Sequence, residues 1–361
     1  MNFVFLDSVC QGLWFSALAV SPVFVVMWIT SKWQKKASPV ALKRFFQTHL
    51  LLLLGFFVTG FFLPQSLDSQ LMRLCTPDSD FSTLISRSLA GLWLVGLGLL
   101  LVIDAVRLIR GWRGLQPLAP LRDPKVETLL CDLASKFALE RTPPILLSPS
   151  EWGIFVWGLW KTRLVISDQI VKTCDDQGLT HLLAHELVHV REHDGFWMSL
   201  ELFSRRLLFF HPLAFLVGRI YAELTEKAAD AQAVQLAELC QSGYLQTLLG
   251  LAESRTQPLS VPLRLHASQG YRELKSRIES LHQPPNPERE SFAKGWIFAL
   301  SLVAVLISLT QMESTYAALV KSAQQGLMCA QVQKEKTLEK WLPKAKLQIQ
   351  CDNENQKEGS R

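Results

Sequence analysis

Four apolar stretches dominate this chain, and each approaches the roughly 20 residues that an α-helix needs to cross hydrocarbon. They run from about Gly12 to Thr30, Leu50 to Leu63, Ser88 to Ile103 and Gly295 to Met312. The first carries Pro22, which a membrane helix tolerates as a kink, and the second is short enough to need Phe45 to His49 at one end. No Lys or Arg precedes the first stretch, so it does not read as a cleavable signal peptide. With 49% of its residues hydrophobic and 19% charged, the chain is neither disordered nor fibrous. The net charge of +5 is too diffuse to suggest direct nucleic-acid binding.

The Lys/Arg bias of the flanks sets an orientation. Lys32, Lys35, Lys36, Lys43 and Arg44 lie between the first two stretches, with no acid among them. The next loop has Arg73 against Asp68, Asp78 and Asp80, and Arg107, Arg110 and Arg113 follow the third stretch. This alternation places both termini outside and the long segment from about Arg107 to Lys294 in the cytoplasm. Cys131, Cys174 and Cys240 then fall inside, while Cys10, Cys75, Cys329 and Cys351 fall where disulfides persist, with Cys329–Cys351 an expected pair. No CxxC pair suggests a cysteine metal ribbon. The divisions expected are a three-helix membrane region (1–106), a cytoplasmic domain (107–282), a proline-rich linker (283–294), a fourth span (295–312) and a small external tail (313–361).

Within the cytoplasmic segment, Asp123 to Leu139 has helical spacing and Ile145 to Leu147 reads as a short strand. The aromatic and β-branched run from Trp152 to Ile166, with Gly153 and Gly158, suggests a twisted hairpin. Its second arm is read as an edge strand, Arg163, Leu164, Val165, Ile166 and Ser167, along which an extended substrate could lie. The remainder, from Gly178 to about His282, is mostly helical.

The segment Thr180 to Gly195 reads THLLAHELVHVREHDG, in which His185, Glu186 and His189 form HExxH. Residues four apart on a helix share a face, so both imidazoles can reach one zinc ion. Glu186 is then placed to act as general base toward an attacking water. A plain histidine stripe would account for His181 and His193 on the same row, but not for Glu186. A catalytic zinc takes three protein ligands, and AELTEKAADAQA offers Glu226, with Glu223 as its competitor. Asp230, one turn beyond Glu226, can accept a hydrogen bond from a ligand imidazole. Asp194 can do the same or help to end the helix at Gly195, a natural C-cap. His211, before Pro212, is either a candidate oxyanion or substrate contact or a packed core histidine.

HELVHVREHD, FFHPLAFLVGRIYAELTEKAAD and YRELKSRIESL, followed by a last span, resemble the BlaR/MecR-type integral-membrane metalloproteases. These are gluzincins akin to the CAAX prenyl protease and HtpX groups. The resemblance covers about residues 10–312 and is most specific between His185 and Asp230. It implies a mainly α membrane protein with four transmembrane helices and an α+β gluzincin-type zinc protease domain inserted between the third and fourth. It further implies one zinc per chain, a bacterial inner-membrane location and cleavage of a protein at the cytoplasmic face. The substrate would be a transcriptional repressor or a membrane protein, with lipid around the spans. An HtpX-like quality-control protease and a non-catalytic scaffold are the alternatives. The β-lactam sensors of that family carry a penicillin-binding domain after the last span. Here 49 residues follow Met312, none of them a serine with a lysine three positions on, so such sensing is not expected.

A topology test follows from the charge alternation. A reporter that fluoresces only in the cytoplasm should light up when fused after Arg113 and stay dark after Met312; signal at both sites would remove the fourth span.

Overall fold

The computed structural model describes residues 3–32, 37–62, 80–149, 152–254, 271–282 and 295–310, with scattered single positions up to 332. The linker at 283–294 and most of the tail, including Cys329 and Cys351, lie outside the described residues. Four apolar helices are present: α1 (Phe3–Ser31), α2 (Pro39–Phe62), α3 (Asp80–Leu115) and, late in the chain, α11 (Gly295–Thr310). Among the described residues, Pro39–Thr59 and Arg87–Leu115 are long and apolar enough to cross a membrane, while Ser16–Ser31 and Gly295–Thr310 are shorter apolar helices. Only 11% of the Arg87–Leu115 window is buried, and Leu92, Val95, Leu99 and Val102 form an exposed row along it. Such a row suits hydrocarbon better than water. The helix does not stop at Ile103 but continues through Asp104, Arg107, Arg110 and Arg113 to Leu115.

The chain divides into two compact units. The first comprises Met1–Ala19, Phe56–Trp93 and Ile307–Arg361. Within it the Ser16 hydroxyl donates to the Gly12 and Phe57 carbonyls at 2.7 and 3.0 Å, and Ser308 donates to Ala19 at 2.9 Å.

The second unit, Val20–Gly55 and Leu94–Leu306, contains the rest of the described fold. Its helix α4 (Pro124–Lys136) starts where Asp123 accepts from the Lys125 and Val126 amides and Pro124 fills the first turn. Three strands follow: β1 (Ile145–Ser148), β2 (Ile154–Trp157) and β3 (Arg163–Ser167). Then come α5 (Asp168–Thr173), α6 (Asp176–Arg191), α7 (Asp194–Leu207), α8 (Pro212–Leu236), α9 (Gln241–Ser254) and α10 (Tyr271–His282).

The strand order is β1-β3-β2, which corrects one sequence expectation. Arg163–Ser167 is not an edge strand but the centre of the sheet, parallel to β1 and antiparallel to β2. The physical reason is in its side chains. Leu164 and Ile166 enter the main core while Val165 joins Leu115 and Leu146 on the opposite face, so both faces are covered. Pairing on both sides satisfies the backbone N–H and C=O groups of so buried a strand. The outer side of β1 is occupied by 119–121, through Leu121 N to Ile145 O at 3.0 Å and Leu147 N to Ala119 O at 2.9 Å. Among the described strands, β2 is therefore the edge with one side unpaired.

Helix α6 runs through the middle of the domain, and every residue from His181 to Val188 is buried. Its buried leucines, Leu179, Leu182, Leu183 and Leu187, share one core with α4, the sheet, α8 and α9. Full burial of each such side chain contributes about 1.5–3 kcal/mol. Where α8 crosses α6 the buried residues are small, Ala229 and Ala233, and they share a core with a helix that itself carries Ala184. Alanines let two backbones approach closely, so the short reach of a glutamate on α8 suffices to meet histidines on α6.

Ala229→Leu should therefore cost about 1–3 kcal/mol by overpacking and lower the melting temperature of the purified protein. An unchanged melt would show that the two helices do not depend on a small residue there.

Candidate metal centre

The site rests on two helices and is braced by three more elements. His185, Glu186 and His189 lie on α6 and Glu226 on α8, around a cavity of about 630 Å³. His185 Nε2 is 3.2 Å from His189 Nε2 and 3.5 Å from Glu226 Oε2, and His189 Nε2 is 3.9 Å from Glu226 Oε1. A tetrahedral zinc with bonds of about 2.0–2.1 Å needs ligand atoms roughly 3.4 Å apart. The three donors match that spacing.

The far side of each ring explains why the Nε2 atoms face inward. His185 Nδ1 lies 3.0 Å from Asp230 Oδ1 and 3.1 Å from the Tyr244 hydroxyl, and His189 Nδ1 lies 2.7 Å from Asp194 Oδ2. A carboxylate beside Nδ1 holds the proton there and leaves a lone pair on Nε2. Two such lone pairs pointed at each other repel unless a cation lies between them. The charge balance points the same way. The carboxylates of Asp194, Glu226 and Asp230 face the cations Lys43 and Arg277, and Glu186 adds a fourth carboxylate to the cavity wall, so acids outnumber these cations by two, a surplus that a dication would neutralise. The residues present thus fit a zinc ion held by His185, His189 and Glu226.

Arg277 on α10 fixes the acids. Its Nε and one terminal nitrogen donate to Asp230 Oδ2 and Oδ1 at 2.7 and 2.6 Å, and its other terminal nitrogen is 3.1 Å from Glu226 Oε2. The Tyr244 hydroxyl donates to Asp230 Oδ1 at 2.8 Å. Burial raises the carboxyl pKa of Asp230, but Arg277 and His185 outweigh it and hold it at about 2. Burial likewise works against charge on Glu226, yet the His185 contact and Arg277 keep it well below the usual carboxylate range. At His185 burial opposes protonation, while Asp230 and Glu226 raise the ring to about 10. The same two carboxylates would favour a metal ion in place of that proton.

The expected site residues divide clearly. His185, Glu186, His189, Asp194 and Glu226 all line the cavity, and Asp230 lies directly behind His185. Glu223, the competing ligand, is turned to Lys227 at 2.7 Å and Ser276 at 2.6 Å. Gly195 is not a C-cap: α6 is capped by Glu192, and the reversal is made by His193 at φ 52°. Gly195 sits instead in the first turn of α7, where a Cβ would lie 2.5 Å from the Gly158 carbonyl. His211 does not reach the site, so of its two readings the oxyanion or substrate contact falls and the packed histidine stands. It caps the far end of α8, about 22 Å of helix rise from Glu226, with Nε2 3.2 Å from Ser21 Oγ and its ring 4.7 Å from that of Phe24. The strand that lines the cavity is β2, continuing through Gly158 to Lys161, and not β3. His181 also lines it, with Nδ1 2.7 Å from Thr247 Oγ1 and its pKa lowered by burial.

Tyr244, Arg277 and Lys43 also belong to the site, although none of them carries a motif. Arg277 lies in YRELKSRIESL, a segment that bears on the family resemblance, and Lys43 reads in the sequence as one of several positive charges beside an apolar stretch.

A family model described as BlaR1 peptidase M56 matches residues 63–281, more than half of the chain. The chain belongs to the BlaR1 peptidase M56 family. The match includes α6, α8 and all but one residue of α10, so every residue of the cavity wall lies inside it. Among curated proteins, the methicillin resistance mecR1 proteins of Staphylococcus aureus and Staphylococcus epidermidis are 26% identical over 81 residues. That alignment takes in 22% of this chain and 14% of theirs, so the chain spans about a seventh of the length of these relatives.

Glu226→Gln should bind zinc at least tenfold more weakly than wild type, whereas Glu223→Gln should bind it unchanged, as read by competition with a chromophoric chelator. Equal losses in both would move the third ligand away from Glu226.

Proposed function

We propose that the chain is a zinc-dependent endopeptidase of the bacterial inner membrane that cleaves a protein at the cytoplasmic face, in regulatory or signalling proteolysis. The observation that carries this reading is the convergence of His185, His189 and Glu226 on one point, with Glu186 in the same cavity. Membership of a peptidase family and the partial likeness to mecR1 proteins support it. Zinc bound there would supply Lewis acidity toward the scissile carbonyl and the attacking water. Glu186, one residue from His185, takes the proton of that water and delivers it to the leaving amine. Asp230 and Asp194 keep the two rings in the tautomer that faces the metal. Arg277 holds Glu226 against the repulsion of its acidic neighbours.

The substrate enters as an extended strand. Strand β2 has an unpaired side and lines the cavity, so its backbone can add a substrate segment by main-chain hydrogen bonds. Leu108, Met198 and Leu248 give the cavity an apolar wall for a substrate side chain. A transcriptional repressor or a membrane protein are the two substrate classes in view. The N- and C-termini are external in this reading.

Glu186→Gln should keep zinc and fold while losing peptide hydrolysis by about 10²–10⁴-fold. Hydrolysis at the wild-type rate would exclude Glu186 as the base. Comparing the proteomes of cells that express the wild type and the variant then identifies the substrate. Stabilisation of one regulator supports signalling proteolysis, and broad accumulation of damaged membrane proteins would replace it with quality control.

A further inference from the structure

We propose that Lys43, on membrane-crossing helix α2, is a positioning residue for the metal centre and acts on His189 through Asp194. The proposal rests on the metal-centre reading above. Lys43 is 0% exposed, although the Lys/Arg pattern would leave it in water as one of several cytoplasmic positive charges. Its Nζ lies 2.5 Å from Asp194 Oδ1, with Glu192 Oε2 the other nearby acid at 4.0 Å. Asp194 is itself 2% exposed, and its second oxygen lies 2.7 Å from His189 Nδ1. One buried carboxylate therefore joins an ammonium on α2 to an imidazole that faces the metal position.

The geometry makes the lysine more than a neighbour. A carboxylate removed from water needs a partner, and Lys43 supplies it on the oxygen that His189 does not use. With Lys43 in place, Asp194 stays oriented to hold the Nδ1 proton and to aim Nε2. Without it, an uncompensated buried anion either turns away or draws water in, and the ring loses its alignment. The same face of α2 touches the other ligand-bearing helix. Phe46 stacks on Tyr221 at 6.4 Å, and the Gln47 amide donates to the Tyr221 hydroxyl at 3.4 Å, with Tyr221 five residues before Glu226 on α8. A shift or rotation of α2 thus alters His189 through Asp194 and leans on α8 through Tyr221, so the membrane helix can tune the centre without changing any ligand.

A second, part-buried ion pair provides the control. Arg206, near the opposite end of α7 from Asp194, donates to both oxygens of Asp104 on α3 at 2.6 and 2.9 Å, but neither residue touches a ligand. The test is zinc affinity of the full chain in detergent, by chelator competition, for wild type, Lys43→Met, Asp194→Asn, Lys43→Met/Asp194→Asn and Asp104→Asn. Lys43→Met should bind zinc about 10–100-fold more weakly, while Asp104→Asn melts earlier but binds within about twofold of wild type. In the Asp194→Asn background, Lys43→Met should add less than about a twofold loss, because the connection is already cut. Wild-type affinity in Lys43→Met, or an equal loss in both backgrounds, overturns the proposal and leaves the metal centre standing. If Lys43→Met alone does not fold, the double variant, which removes both charges together, is compared with Asp194→Asn. Equal affinity supports the connection, and a further tenfold loss overturns it. A wild-type chain that binds no zinc overturns the metal centre and this proposal with it.

Discussion

A glutamate on α8 can share a cation with two histidines on α6 only if the two helices cross at close range. The alanines at 184, 229 and 233 permit that approach, and almost everything else in the site is arranged around it. Leucines on the remaining faces of α6 anchor it to α4, the sheet and α9, so the helix carrying HExxH has little freedom to turn. A helix buried on all sides is an unusual place for three ionisable residues. Its two imidazoles are tolerated because each meets a carboxylate, His185 with Asp230 and His189 with Asp194, while on α8 Glu226 is paired with Arg277.

Those pairs make the site an electrostatic trap for a divalent cation. Asp230 alone receives hydrogen bonds or ion contacts from His185, Tyr244 and Arg277, three segments joined at one carboxylate. Its own burial would raise its pKa, and the reversal of that tendency shows how strongly its partners act. Arg277 is indispensable to this balance because it faces two acids at once with a planar fork, which a lysine could not reproduce. The same arrangement turns Nδ1 of both rings to a carboxylate and Nε2 to the cavity, so orientation of the ligands does not wait for a metal.

The unit that contains the site also includes the adjoining parts of α1, α2 and α3. Two ion pairs, the buried Lys43 with Asp194 and the part-buried Arg206 with Asp104, connect α2 and α3 to α7, which begins immediately after the HExxH helix. The buried pair is the costlier of the two to separate. The continuous course of α3 through Asp104 to Leu115 brings Asp104 within reach of Arg206.

Local spacing determined much of this from the sequence. HExxH and the Glu226/Asp230 pair are legible because i, i+4 positions share a helix face whatever the rest of the chain does. The apolar stretches are legible because hydrocarbon demands length and composition, not a particular partner. The linker and most of the tail fall outside the described residues, and among the described helices two are long and apolar enough to cross a membrane and two are shorter. What only the tertiary structure decided are the matters of pairing between distant segments. Strand order made β2 the free edge and put Arg163–Ser167 in the centre, although three consecutive apolar residues at Leu164, Val165 and Ile166 already implied burial on both faces. The length of α8 carried His211 away from the site and against Phe24. Tyr244, Arg277 and Lys43 carry no motif, because their roles are set by which carboxylate each one meets, and that choice exists only once α9, α10 and α2 have packed around α6.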